Sequence, residues 1–310
     1  MSAPIPVIID TDPGQDDAVA ILLALASPEI EVLGIGCVAG NVPLAATVRN
    51  ALTTVELSGR DVAVRAGCDR PMARPLITAE HVHGETGLDG FALPPPARGA
   101  AEGHAVAWMA DTLRAAPRPV ALCPLGPLTN IGTLLRDHPD VAPKISRIVM
   151  MGGAYFEVGN ITPAAEFNVH VDPEAARIVF ASGVPITVAS LDVSHRFLTT
   201  RARVEAIEAA GRVGPAVAGW LRFFDRFDRD KYGTEGGPLH DPLTILWLLR
   251  PDLFTGRDVA VEIECEGTHT LGMTVADWWG VTGKPPNAHW LGMVDADRGY
   301  AVLAERLGRL

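Results

Sequence analysis

From residue 5 to residue 191 the chain alternates short β-branched apolar runs with longer stretches in which alanine and leucine recur at helical spacing. Few architectures accept that rhythm. Strands separated by helix-length segments pair in parallel, because each connection must cross a face of the sheet. The expected strands are 5–10, 31–38, 61–65, 119–123, 145–150 and 185–191, and the expected helices 16–26, 44–58, 100–115, 128–136 and 173–181. Several strands, Arg147-Ile-Val-Met-Met151 among them, are apolar almost without interruption, as in a sheet covered on both faces. The fold class is therefore α/β, a doubly wound, mostly parallel, Rossmann-like sheet. After residue 191 the rhythm changes to helices at 201–210, 215–230 and 242–249, then a strand pair, 259–265 with 269–275. No internal repeat or clear linker appears, although Pro94-Pro-Pro96 marks a rigid surface loop, and residues 1–310 are read as one domain.

Composition supports a chain that buries a large core, with 48% hydrophobic and 20% charged residues. A net charge of -11 and no basic cluster argue against a nucleic-acid binder, which needs a positive face to displace counterions. The four cysteines, Cys37, Cys68, Cys123 and Cys265, form no Cys-x-x-Cys pair and suggest neither a zinc site nor a disulfide framework. The first residues, Met-Ser-Ala-Pro-Ile-Pro, lack the basic-then-apolar pattern of a signal peptide. Apolar runs fall short of the roughly 18 residues that span a bilayer. The expectation is a cytoplasmic protein without a membrane partner.

Four carboxylates, Asp10, Asp12, Asp16 and Asp17, fall within Asp10-Thr-Asp-Pro-Gly-Gln-Asp-Asp17, where the first strand ends and the first helix begins. Like charges this close repel unless a cation or hydrogen bonds compensate them, and oxygen ligands without cysteines point to calcium or magnesium. The plain alternative is that Asp16 and Asp17 cap the helix. An EF-hand loop is excluded, because its glycine and its terminal acidic position would fall on Gln15 and Ile21. A magnesium-dependent Asp-x-Asp phosphatase fits Asp10-Thr-Asp12 in part, but has no use for the Asp16-Asp17 pair. The long Gly- and Pro-rich stretches 67–98 and 152–171 are further places to seek a site.

The opening signature resembles that of the inosine-uridine preferring nucleoside hydrolases. The likeness continues through Ala39-Gly-Asn-Val42, His83-Gly-Glu-Thr-Gly-Leu-Asp-Gly90, Leu125-Gly-Pro-Leu-Thr-Asn130, Met150-Met-Gly-Gly153, Gly159-Asn160, Pro163-Ala-Ala-Glu-Phe-Asn168, His240-Asp-Pro-Leu243 and Gly272-Met-Thr-Val-Ala-Asp277, in that order. The resemblance implies hydrolysis of the bond between ribose and base. It implies one calcium ion per subunit, held by Asp12, Asp17, the Leu125 carbonyl and Asp241, with Asp12 as general base and direct water attack inverting the sugar. Asp16, Asn160, Glu166 and Asn168 are expected on the ribose, with Asn41 as a further pocket residue. His240 is expected as leaving-group acid, its imidazole titrating near neutrality. His83, Phe227 and Tyr232 are expected near the base, the segment around the last two closing over it. Homodimers or homotetramers acting in purine and pyrimidine salvage are the implied setting.

Plain structural roles compete with several of these. Asp241-Pro242 reads equally as a helix cap followed by proline, and at Asp172-Pro173 the cap is accepted. Glu166 and Asn168 could be loop hydrogen-bonders, and a lone His83 is more often structural. His104, His138, His195, His269 and His289 are assigned structural roles. Convergence favours the functional reading: Asp12, Asn41, Leu125 and the segment from Met151 all follow the carboxyl ends of expected strands, where open α/β sheets bind ligands. A nucleoside- or ribose-binding protein without catalysis remains the main alternative, since fold alone does not establish activity.

Overall fold

The computed structural model describes residues 3–310, with the side chains of 228–230 and 232 outside the described set. The chain enters at β1 (Ile5–Thr11) and continues through α1 (Gln15–Ala26), β2 (Ile30–Cys37), α2 (Leu44–Ser58) and β3 (Val64–Ala66). After the short α3 (Glu80–His83) come α4 (Ala105–Ala115), β4 (Val120–Pro124), α5 (Thr129–Asp137) and β5 (Ile145–Met151). Then follow α6 (Phe167–Val171), α7 (Pro173–Phe180), β6 (Ile186–Ala189) and α8 (Leu191–Ser194). The remainder is α9 (Arg201–Glu208), α10 (Gly214–Tyr232), α11 (Pro242–Leu249), β7 (Phe254–Ile263), β8 (Thr274–Asp277), β9 (Ala288–Val294) and α12 (Ala296–Leu307).

The strands form one nine-stranded sheet in the order β3-β2-β1-β4-β5-β6-β9-β7-β8. Pairing from β3 to β9 is parallel, and β7 pairs antiparallel with both β9 and β8. The chain winds outward from β1 in one direction and from β4 in the other, so the switch point lies between these two central strands. Ligands bind α/β sheets in the crevice outside such a point. Helix α1 lies over it, packs against α2, α10, α11 and α12, and buries every residue but Leu25. Each fully buried leucine or isoleucine there, Ile21, Leu22 and Leu23, stabilises the fold by about 1.5–3 kcal/mol.

The expected doubly wound sheet is observed, with corrections at its edges. The strand expected at 61–65 is Val64–Ala66. The helix expected at 100–115 begins at Ala105, because Gly103 turns with φ +89° and His104 caps the helix, its Nδ1 accepting from the Val106 N–H. The strand expected at 185–191 stops at Ala189, and Ser190 opens α8 instead. The strand expected at 269–275 starts only at Thr274, since Gly272, at φ +80°, turns the chain just before it. Strand β9 and helix α12 were not expected at all. Among the described residues no helix is long and apolar enough to cross a membrane, and all four cysteines are free.

Candidate active site

Strand β1 delivers Asp12 to the switch point, and the chain turns through Pro13 and Gly14 into α1. The Gly14 N–H donates to Asp17 Oδ2 at 3.0 Å, a capping-box contact that satisfies an orphan donor at the helix start. The capping alternative thus holds for one oxygen of Asp17, without exhausting the cluster. Asp16, Asp17 and Asp241 are buried and present carboxylate oxygens within 4.8 Å of one another. Asp12 adds its charge from the end of β1. Burial, then the neighbouring Asp17, pushes the Asp12 carboxyl well above its ordinary range. Burial, then Asp16, Asp17 and Asp12, does the same to Asp241. Asp17 is raised by burial and partly relieved by the Thr11 hydroxyl and the Gly14 N–H.

Asp12 is wedged between two glycines. A Cβ at Gly40 would lie 2.1 Å from one carboxylate oxygen, and a Cβ at Gly126 2.0 Å from the other. Its Oδ2 accepts the Asn41 N–H at 2.7 Å, while Oδ1 is buried and has no hydrogen-bond partner among the described residues. Unpartnered buried carboxylate oxygens are expensive, and a hard divalent cation is what relieves them. Leu125 lines the same cleft, held by its own N–H, which donates to the Asp10 carbonyl across the β1–β4 seam at 2.8 Å. An oxygen-only donor set of this kind fits calcium. Asp241 has helical backbone angles and makes no side-chain capping bond, which removes the simple cap reading for it. Asp172, by contrast, caps α7 by accepting from the Ala175 N–H.

These groups border one cleft that opens to solvent. Its lining includes Asp16, Asp17, Asn41, Leu125, Asn160, Glu166, Asn168, His83, Phe227, His240 and Asp241, residues the sequence scatters over more than two hundred positions. Glu166 caps α6, its carboxylate accepting from the N–H groups of Asn168, Val169 and Gly153. Asn168 Nδ2 donates to the Leu125 carbonyl at 2.8 Å, tying the two walls together. Asn41 Nδ2 donates to the Asp12 carbonyl and Asp17 Oδ2, so its immediate task is to hold the carboxylates. Asn160 Oδ1 accepts from the Phe167 N–H, and its carbonyl accepts from Lys231 Nζ at 2.7 Å, joining the 152–161 loop to α10.

The other end of the cleft is aromatic. The His83 ring stacks on Phe224 at 5.4 Å between centroids, and Phe224 meets His240 edge-on at 6.2 Å. Burial, with nearby His81, lowers His83 to about 3. Burial, then His195 and His83, lowers His240 to about 3 as well. The expectation that His240 titrates near neutrality is therefore corrected: the free site holds it neutral. Its Nδ1 pairs with Ser194 Oγ at 2.8 Å.

Some residues fall elsewhere or went unforeseen. Asp10, like Asp12, does not line the cleft itself. Its Oδ1 accepts from Asn130 Nδ2 at 2.7 Å, and burial raises it to about 8, a poor setting for the nucleophile an Asp-x-Asp phosphatase needs. The Tyr232 side chain lies outside the described residues. His195, assigned a structural role, packs 6.1 Å from His240, and His81, not singled out, lines the cleft. Sequence reasoning also missed Gln15, Ser194 and Asp192. Asp192 Oδ1 accepts three successive N–H groups, of Tyr155, Phe156 and Glu157, and Oδ2 accepts from Trp290 Nε1. The signal for Asp192 and Ser194 was an acidic residue and a hydroxyl directly after a strand; for Gln15 it was only its place inside the signature.

The family model described as inosine-uridine preferring nucleoside hydrolase matches residues 7–301. An uncharacterized protein of Schizosaccharomyces pombe is 54% identical over 98% of this chain and 99% of its own length. The pyrimidine-specific ribonucleoside hydrolase RihA of Salmonella typhimurium is 50% identical over 98% of both chains. Among solved structures, a purine-preferring ribonucleoside hydrolase from Gardnerella vaginalis superposes with a TM-score of 0.91 at 31% identity, covering 98% of both chains. A plant nucleoside hydrolase superposes equally, at 33% identity, over 98% of this chain and 99% of its own.

Proposed function

Because this chain belongs to the inosine-uridine preferring nucleoside hydrolase family, and so hydrolyses ribonucleosides at the N-glycosidic bond, we propose that its substrate is a pyrimidine ribonucleoside and that calcium and Asp12 activate the water. The observation that carries this reading is the unpartnered, buried Asp12 Oδ1, which feels the charges of Asp17 and Asp16, beside the cluster of Asp16, Asp17 and Asp241. Asp12, Asp17, Asp241 and the Leu125 carbonyl would hold the ion. When bound, calcium supplies positive charge that orients a water and eases its loss of a proton.

Asp12 accepts the proton of the attacking water, whose oxygen bonds to C1 of the ribose from the face opposite the base. The pair of electrons in the C1–N bond leaves with the base. Asp16, Asn160, Glu166 and Asn168 grip the sugar hydroxyls, in contacts that strengthen as positive charge grows on the ring. His240 stands as leaving-group acid. Because it is neutral in the free site, the proton it gives the base nitrogen is a ring N–H proton, made good by way of solvent with the proton that Asp12 takes from the water, while Ser194 Oγ, paired with Nδ1, orients the ring. Full-length similarity to a pyrimidine-specific enzyme supports the choice of base.

A homo-oligomer in the cytoplasm completes the reading. Free cysteines suit a reducing compartment. The rings of Tyr155, Phe156 and Trp278 touch, Arg257 lies over both Trp278 and the exposed Trp279, and together they offer an apolar surface of the kind subunits cover. The experiment is a nucleoside panel followed by free-base and reducing-sugar release, with and without chelator. Uridine and cytidine should turn over faster than inosine, with activity lost to chelator and restored by calcium. Absence of ribose release from every nucleoside in calcium would sink the proposal.

A further inference from the structure

Gln15 stands inside the acidic signature but outside the cleft, fully buried behind His83. Its Nε2 donates to the His83 carbonyl at 2.9 Å and to the Asp89 carbonyl at 3.0 Å. Both amide hydrogens are thereby used, and the atom left facing His83 Nδ1, 2.7 Å away, is the acceptor Oε1. A neutral imidazole carries one ring proton, and an acceptor opposite Nδ1 fixes it there. The other nitrogen, Nε2, then holds a lone pair. No hydrogen bond to Nε2 is found among the described residues, and the ring lines the cleft.

Two further features keep the ring in this pose. Gly14 leaves the space it occupies, since a Cβ there would lie 2.3 Å from Nδ1. Phe224 covers one face of the ring. His240 is different: its Nδ1 meets a hydroxyl, which both donates and accepts, so no comparable lock exists there.

We infer that Gln15 is a positioning residue that locks His83 as the Nδ1–H tautomer, making Nε2 a hydrogen-bond acceptor for an N–H on the base. His83 then selects and does not protonate. It favours bases with an N–H on the edge away from the sugar, such as uracil with its N3–H, over analogues in which that hydrogen is replaced. The inference rests on the proposed hydrolysis of a pyrimidine ribonucleoside, with the base at the aromatic end of the cleft.

Ring-15N-labelled histidine in the full-length protein reads the tautomer without any turnover. His83, assigned by the signals that vanish in His83→Asn, should show a protonated Nδ1 and an unprotonated, pyridine-like Nε2 at neutral pH. Gln15→Glu, which keeps the acceptor oxygen, should retain that pattern, and Gln15→Leu should mix the two tautomers. Should Gln15→Leu not fold, the wild-type and Gln15→Glu spectra decide. A protonated Nε2 in the wild type overturns the lock. The selectivity arm compares kcat/KM for uridine and 3-methyluridine. The wild type should prefer uridine by about tenfold, the scale of one lost hydrogen bond, and His83→Ala should bring the ratio close to one. A preference that survives in His83→Ala overturns the acceptor role. Failure to hydrolyse either pyrimidine would instead remove the pyrimidine reading, while the spectrum still decides the tautomer.

Discussion

At residue scale, the position of a proton separates otherwise similar groups. A histidine required as a cation in the free enzyme would make kcat/KM fall as pH rises through about 6.5. Since burial lowers His240 to about 3, kcat/KM should stay level across that range. A fall with that midpoint, abolished in His240→Gln, would show the imidazolium to be the working form. Asp12 permits a sharper test. Asp12→Asn retains the shape that Gly40 and Gly126 accommodate but removes the base, and should lower kcat by about 10²–10⁴-fold with little change in melting temperature. Gly126→Ala, which drives a methyl into the Asp12 carboxylate, should lose activity comparably while leaving the acid intact. The acidic cluster was legible from its residue types and spacing, whereas Asn41, Asn160, Asn168 and the His240-Asp241 pair became legible only through the family resemblance. Gln15 and Ser194 were not, since each acts through a hydrogen bond to a residue 68 or 46 positions away.

At element scale, the short helix α8 serves two walls of the cleft. It places Ser194 against His240, and Asp192 beneath the loop that carries Asn160. Asp192→Ala would strand three backbone N–H groups and the Trp290 indole, and should cost about 3 kcal/mol or more in urea unfolding. KM should rise with it as the loop loses its anchor, and an unchanged KM would mean that Asn160 is held by other contacts. Sequence could not show α8, because a strand running straight into four helical residues reads as one apolar run. Strand β9 was missed for a related reason: its burial does not alternate cleanly, and Gly292 interrupts it. Helix α12 did carry a signal, Asp295 capping ahead of Tyr300, Leu303 and Leu307 on one buried face.

At the scale of the whole molecule, the site sets how stability depends on pH. Asp10 is raised from 3.8 to about 8, so its contribution is complete below 3.8 and is lost as pH rises through about 8. Asp12, Asp17 and Asp241 shift the same way. His83 and His240, lowered from 6.5 to about 3, contribute above 6.5 and lose that contribution as pH falls through about 3. Chelated protein should therefore melt lower at about pH 8 than at about pH 6, and calcium should raise the melting temperature more at the higher pH. A calcium effect of equal size at both would argue against an ion among these carboxylates. The β1–β6 half of the sheet was readable from apolar rhythm, whereas its completion was not. That completion depends on β9, which sits between β6 and β7 although it is the last strand made. While a ribosome is still translating residues 288–294, β7 and β8 have no edge to join, and β6 keeps an open one. Every nascent chain therefore passes through a stage with an incomplete sheet and an unsatisfied seam, and a chain terminated before that stretch is left as a template for aggregation.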